Sequence, residues 1–412
     1  MNLELENILI KAKKASREML LVDTDTKNKA LISISNALMS SIEYILEENN
    51  KDMRNAELNK MSEAMKDRLL LTRKRIEAIA GDVLKLVDLN DPIGEIIRDI
   101  HRPNGLHIQQ VRVPIGVFGI IYESRPNVTV DIACLCLKSS NVCVLKGGKE
   151  AINSNKALAS VINKAIKDIL PDGTVNLIEN NDRTIVTELI RANDYVDVAV
   201  PRGGAGLIQH VVKNATVPVI ETGAGNCHLY IDKDADMKKA IDISINAKIQ
   251  RPSVCNAVET ILVHKDIAEV YLKELVKVFE YVEIRGDSLT QSIINCKLAT
   301  DDDYATEYDD YIVAIKIVNH VDEAIEHIYN YSTKHSEAII TENEEIAQYF
   351  LTALDSSCVY HNASTRFSDG GEFGFGAELG ISTQKLHARG PLGLTEMTSF
   401  QYRIKGNGQV RK

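Results

Sequence analysis

From residue 114 onward, short apolar runs rich in β-branched residues alternate with helix-length segments. The runs are 116–121, 142–145, 175–178, 196–200 and 217–220, and then 258–263, 311–318, 338–340 and 358–360. Helical segments fill most of the gaps, among them 151–170, 266–280, 321–330 and 343–354. This alternation admits few folds. Consecutive strands joined through helices run parallel, and the helices cover both faces of the sheet. The two series therefore predict two α/β blocks, with a boundary near Gly223 to Gly225. Ligands in such sheets sit beyond the carboxyl ends of the strands. The glycine-rich stretch from Gly370 to Gly393 is expected to be a structured surface loop.

The chain has 412 residues, too many for one simple core. Before the alternation begins, residues 1 to about 90 read as helices. Leu5, Ile8 and Leu9, and then Ala30, Leu31, Ile34 and Leu38, recur at helical spacing. Asp23 to Thr26 offers N-caps, and a further helix is expected over about 62–86. Its charged outer face is read as solvated. The pattern breaks at Asp91-Pro92-Ile93-Gly94. Leu106, Ile108, Val111 and Val113 then alternate beside Arg102-Pro103-Asn104-Gly105, a hairpin signal within 97–113. The stretch 398–404 (TSFQYRI) alternates in the same way. Neither has enough apolar surface to stand alone. The two are expected to share one small sheet, of the kind that mediates oligomerisation.

Charge and composition exclude several classes. A net charge of -10 argues against nucleic acid and for small-molecule partners. No run of about 18 apolar residues predicts a membrane span. The N-terminus begins acidic, without a basic region before an apolar core, so no signal peptide is expected. The seven cysteines are odd in number and lack a double CxxC, which fits free thiols in a reducing, cytoplasmic compartment. No metal site is expected, because no histidine stands at useful ligand spacing.

Four stretches carry chemistry. Cys255 lies in a short polar segment, Gln250 to Ala257, with Arg251 nearby and a β-rich run at once after it. A thiol attacks only as thiolate, and a neighbouring cation favours that form; the bland alternative is one more small buried residue. Arg202-Gly203-Gly204-Ala205-Gly206 follows a strand and opens a helix, which suits a phosphate or merely a tight turn. Lys146 and Lys149 flank two glycines beyond a strand, as an anion site or as solvated lysines. Glu221 follows the run 217–220 and reads as a general base or as a cap.

These pieces occur together and in order: PIGVFGIIYESRPNVTVD (114–131), VPRGGAGLI (200–208), VIETGAGNCH (219–228), RPSVCNAVET (251–260), ATDDDYATEYDD (299–310), HSEAIIT (335–341) and EFGFGAELGISTQKLHARGP (372–391). Over essentially its whole length the chain resembles the aldehyde dehydrogenase superfamily, and within it the γ-glutamyl phosphate reductases of proline biosynthesis. The resemblance implies two Rossmann-like parallel-sheet α/β domains plus a small β oligomerisation arm. An NADP-binding domain would comprise 1–96 and 115–222, a catalytic domain 223–394, and the arm 97–114 and 395–412.

The resemblance also implies roles. Cys255 is the nucleophile, and Asn127 supplies an oxyanion-hole amide beside the nucleophile's own backbone N–H. Lys146 meets the adenosine ribose, Gly203 lies near the pyrophosphate, and Glu307 holds the nicotinamide ribose. Arg125, Arg251 and Arg389 are candidates for the anionic ends of L-glutamyl 5-phosphate. His228 and His387, in the same motifs, fit structural hydrogen bonding at least as well.

Two departures matter. NAD-preferring relatives commonly carry an acid three residues after the ribose lysine; here Lys149 stands there, so NADPH is expected over NADH. Glu221 matches the base that activates water in hydrolytic relatives, but an acyl-phosphate reductase has no hydrolysis to perform. Its role stays open between base and structural group. Three competing readings remain: another acylating dehydrogenase, a hydrolytic one, and a non-catalytic cofactor-binding scaffold. A homo-oligomer is expected. Because glutamyl phosphates are labile, transient contact with glutamate 5-kinase is chemically reasonable.

Overall fold

The computed structural model describes residues 1–182 and 184–411, without the side chains of Ala64 and Ala205; Lys412, the end of the expected arm, lies outside the described residues. The chain divides into two compact units. The first comprises Met1–Thr222, Gly374–Gly380 and Leu392–Lys412, and the second Gly223–Phe373 and Ile381–Pro391. Residues 374–380 and 392–394, placed with the second domain from sequence, pack with the first unit. Leu379 N–H donates to the Leu392 carbonyl at 2.8 Å, and Gly376 lies against Leu89.

The first unit begins with helices α1 (Leu3–Met19), α2 (Thr24–Ser40), α3 (Ile42–Leu58), α4 (Glu63–Leu69) and α5 (Arg73–Asp88). Asn2, Asp23, Ser62 and Thr72 cap four of them through side-chain oxygens. The single helix expected over 62–86 is broken, and the cause is buried. The Asn49 amide donates to the Leu69 carbonyl and accepts from Leu71 N–H, both at 2.9 Å. Those bonds hold an extended Leu70 between two buried leucines.

Strands β1 (Ile96–His101) and β2 (His107–Pro114) form a hairpin, and the C-terminal strand Thr398–Lys405 adds antiparallel to β2. The expected small sheet is therefore present, in the order β1, β2, C-terminal strand. The chain continues through β3 (Val117–Tyr122), α6 (Asn127–Lys138), β4 (Val142–Gly147), α7 (Ile152–Ile166), β5 (Val175–Leu177), α8 (Thr184–Leu189), β6 (Val198–Arg202) and α9 (Ala205–Asn214). Its strands make a parallel sheet in the order β5-β4-β3-β6. The run 217–220 does not form a fifth strand. Only Val219 bridges to Ala199, because Pro218 has no N–H to extend a ladder.

The second unit holds a seven-stranded parallel sheet. In chain order its strands are β7 (Cys227–Ile231), β8 (Val258–His264), β9 (Glu283–Gly286), β10 (Lys297–Leu298), β11 (Ile312–Val318), β12 (Ser336–Ile340) and β13 (Cys358–His361). The spatial order is β10-β9-β11-β8-β7-β12-β13. Leu229, Ile261, Val263, Val313 and Ile315 bury one face against the helices Met237–Ile249 and Lys265–Val278. Tyr230, Leu262, Val318 and Ile339 bury the other against Val321–Tyr331 and Glu344–Ala353. No helix among the described residues is long and apolar enough to cross a membrane.

Candidate active site

In the first unit a cavity of about 1120 Å³ opens at the carboxyl ends of β3 and β4. Lys146 and Lys149 both line it. Lys146 is only 6% exposed, its ammonium donates to the Gly147 carbonyl at 2.8 Å, and burial lowers its pKa. Lys149 is exposed. A Cβ on Gly147 would meet the buried Asn155 amide at 2.2 Å, so a side chain there would have to displace it. At Gly203 a Cβ would lie 2.4 Å from the Glu123 carboxylate. That carboxylate lines the cavity and accepts from Gly204 N–H at 2.9 Å, at the N-cap of α9. An anion thus occupies the helix N-terminus, as its partial positive charge favours. The two lysines, the glycine turn and this N-terminus fit a dinucleotide, whose phosphate would compete with Glu123 for the Gly204 N–H.

In the second unit Cys255 is half-buried in a non-helical loop between the helix Met237–Ile249 and β8. Its carbonyl accepts from the Cys227 thiol at 3.1 Å. A Cβ on Gly225 would lie 1.5 Å from that carbonyl oxygen, so the two backbones touch. Gly225 N–H in turn donates to Glu307 at 2.7 Å. One glycine therefore joins the Cys255 loop to the carboxylate expected at the nicotinamide ribose.

The segment 365–368 also holds the loop, through three of its residues. The Asn256 amide donates to the Ser368 carbonyl at 2.9 Å, and the Thr365 hydroxyl donates to the Asn256 carbonyl at 2.7 Å. Arg366 bonds the Asn256 amide oxygen and donates to the Gln250 amide oxygen at 3.0 Å. Its charge faces Arg251 and Cys255, and burial, then Arg251, lowers its pKa. A cation beside a thiol favours thiolate. Beneath the loop, burial pushes His335 down to about 4 and the Cys227 thiol well up, so both are neutral. Lys248, at the end of the preceding helix, bonds Glu259 of β8 at 2.6 Å, both fully buried. Burial raises Glu259 to about 8 while Lys248 opposes that rise.

Gly225, Cys227, Cys255 and His335 all precede or begin β7, β8 and β12. This site therefore gathers at the amino ends of the strands. The carboxyl-end rule holds for the cavity of the first unit and fails for the thiol.

Of the other predicted residues, Asn127 opens α6 and donates to Asp131 at 2.9 Å. Burial pushes Asp131 up to about 6. An amide carries two N–H donors, and this bond orients the second. Glu221 and Arg125 are half-buried in the first unit. Arg251 is exposed. Arg389 donates to the side chain and the carbonyl of Asp355, both at 2.9 Å, and Lys385 and Arg389 hold Asp355 down to about 2. Its guanidinium is thus committed to a protein carboxylate. His228 is fully buried against Glu337 at 3.1 Å, a structural role. Sequence reasoning missed Arg366, Gly225, Cys227, His335, Lys248 and Glu259. Gly225, Cys227, His335 and Glu259 stood inside motifs already singled out. Arg366 and Lys248 did not, and no local signal marked them.

Residues 4–297 match the aldehyde dehydrogenase family. A γ-glutamyl phosphate reductase of Clostridium botulinum (strain Eklund 17B / Type B) is 56% identical over 405 residues, covering 97% of this chain and 98% of that protein. The crystal structure of γ-glutamyl phosphate reductase from Thermotoga maritima is 49% identical, with a TM-score of 0.97 over 99% of this chain and 100% of that one. An engineered glycolyl-CoA reductase with bound NADP+ shares the fold alone, at 15% identity and a TM-score of 0.70, covering 97% of this chain and 96% of that one. With a sequence match of this extent and a parallel-sheet architecture of the same kind, the chain belongs to the aldehyde dehydrogenase family and, within it, to the γ-glutamyl phosphate reductases.

Proposed function

We propose that this protein is an NADPH-dependent reductase that converts L-glutamyl 5-phosphate to L-glutamate 5-semialdehyde and phosphate through a thioester on Cys255. The observation that carries the reading is the Cys255 loop, half-buried, facing the Arg366 cation and joined through Gly225 to Glu307.

The Cys255 thiolate attacks the acyl carbon. The developing oxyanion takes the Cys255 backbone N–H and, by the family resemblance, the Asn127 amide; such donors act where charge develops. Phosphate leaves with the electron pair of the broken C–O bond, and Cys255 holds the acyl group. NADPH, when bound, supplies the hydride that reduces it. Collapse of the resulting hemithioacetal returns thiolate to Cys255 and releases the aldehyde. Lys146, Lys149, Gly203 and Glu307 are assigned to the cofactor, and Arg125 and Arg251 to the substrate anions. Arg366 joins them as a cation packed against the Cys255 loop. Arg389 acts through Asp355 if at all, and Glu221 serves as a structural group. The first unit binds cofactor, the second carries the thiol, and the small sheet joins copies of the chain in a cytoplasmic homo-oligomer. A transient complex with glutamate 5-kinase would shield the labile acyl phosphate.

The test is the reverse reaction: NADPH formation from glutamate 5-semialdehyde and NADP+, with and without inorganic phosphate. Phosphate-dependent turnover that vanishes in Cys255→Ala is expected. Turnover without phosphate means that water resolves the thioester, which restores Glu221 as a base and overturns the reductase reading.

A further inference from the structure

We propose that the β1–β2 hairpin carries a binding site for a divalent transition metal, formed by Asp99, His101 and His107. The sequence places no histidine at useful ligand spacing, but the hairpin brings two of them beside a carboxylate. His101 and His107 stand directly opposite each other across the hairpin. Asp99 lies two residues before His101 on the same strand, hence on the same face. The three side chains bring one ligand atom each within 4.8 Å of one another. Nε2 of His107 bonds the Asp99 carboxylate, and Nε2 of His101 lies 3.8 Å from the same oxygen.

The two rings stack with centroids 4.2 Å apart and planes 9° from parallel. The turn behind them is tight: Arg102 N–H donates to the Leu106 carbonyl at 2.8 Å, and Gly105 takes φ +88°. The strands therefore fix the three Cα positions, while the exposed side chains keep rotamer freedom. Tetrahedral coordination with bonds of about 2.0–2.2 Å sets donor atoms roughly 3.4 Å apart, within reach of ring rotation. Two imidazoles and one carboxylate suit zinc, nickel, copper or cobalt, and not magnesium or calcium, which take oxygen ligands. Solvent completes the shell. This inference does not depend on the proposed reaction.

The test is titration of the full chain with Co2+, read by visible absorption and calorimetry. One ion per chain, without a thiolate-to-cobalt charge-transfer band, is expected. His101→Ala, His107→Gln and Asp99→Asn should each weaken binding by at least about tenfold. Reductase turnover should be unchanged in all three. The proposal is overturned by absent uptake at millimolar Co2+, by a thiolate band that places the ion on cysteine, or by unaltered affinity in the His101→Ala/His107→Gln double variant.

Discussion

The electrostatic neighbour of the Cys255 thiol decides how much thiolate exists at neutral pH. Arg366 is one cation that faces it in the second unit. Arg366→Gln should slow alkylation of Cys255 by iodoacetamide at neutral pH and lower kcat, whereas a purely structural arginine would leave the alkylation rate unchanged. Asn127→Ala should cost roughly 10²–10³ in kcat, the typical loss for one oxyanion donor. Lys149 lines the cavity proposed for the cofactor, so Lys149→Glu should lower the ratio of kcat/KM for NADPH to that for NADH. An unchanged ratio removes Lys149 from the 2′-phosphate. At this scale the sequence was legible where the chemistry needs a particular element. A thiol in a polar loop and glycines beside lysines announce themselves. Arg366 did not, because its importance comes from reaching Gln250 and Asn256 across more than a hundred positions.

The elements were legible wherever their apolar period was clean, as in β3, β4 and β8. Other features were not, β9, β10 and the failed strand at 217–220 among them. β7 hides in a motif first noticed for its glycines, yet it is central, pairing with both β8 and β12. The helix break at 70–72 comes from Asn49, a residue of another helix, so no window around the break contains its cause. The nucleophile loop itself is pinned at both ends. Removing one partner of the Lys248–Glu259 pair leaves the other polar group buried without its hydrogen bond, at a cost of about 1–3 kcal/mol. Lys248→Met should therefore lower the melting temperature markedly, and Lys248→Met/Glu259→Leu should recover much of the loss. If the double variant is no better than the single, the pair is not the source. Gly225→Ala drives a methyl into the Cys255 carbonyl. Because small misplacements at a reacting centre cost about 10² in rate, kcat should collapse well beyond any change in KM.

Across the whole molecule, buried groups respond to pH with opposite signs: Glu259, raised to about 8, and Asp131, raised to about 6, gain stability as pH falls, and two buried histidines lose it. Burial holds His327 down to about 2 and His335 down to about 4, against an ordinary 6.5. Both are neutral when folded and take protons once unfolded. Their stabilisation is complete above about pH 6.5 and is lost as pH falls toward the folded values. Each contributes a slope of about 1.4 kcal/mol per pH unit in that window. From about pH 7.5 to 5 the denaturant midpoint of His327→Leu should rise relative to that of the parent chain, because the variant lacks one proton-binding group of the unfolded state. An equal slope in that variant rules His327 out. The small sheet leaves Ile100, Phe400, Tyr402 and Ile404 exposed, and a second copy of the chain is the expected cover. Phe400→Glu should reduce the assembled mass in light scattering without altering the fold.

That same sheet has a history in time. Arg112 of β2 and Thr398 of the last strand are hydrogen-bonded although 286 positions separate them. At about 5–20 residues per second, β2 emerges from the ribosome roughly 15–60 seconds before its partner exists. Until then one edge of the hairpin offers unsatisfied backbone groups to any passing strand. A nascent chain stalled or truncated before residue 398 is therefore a template for mispairing with its neighbours on the same messenger.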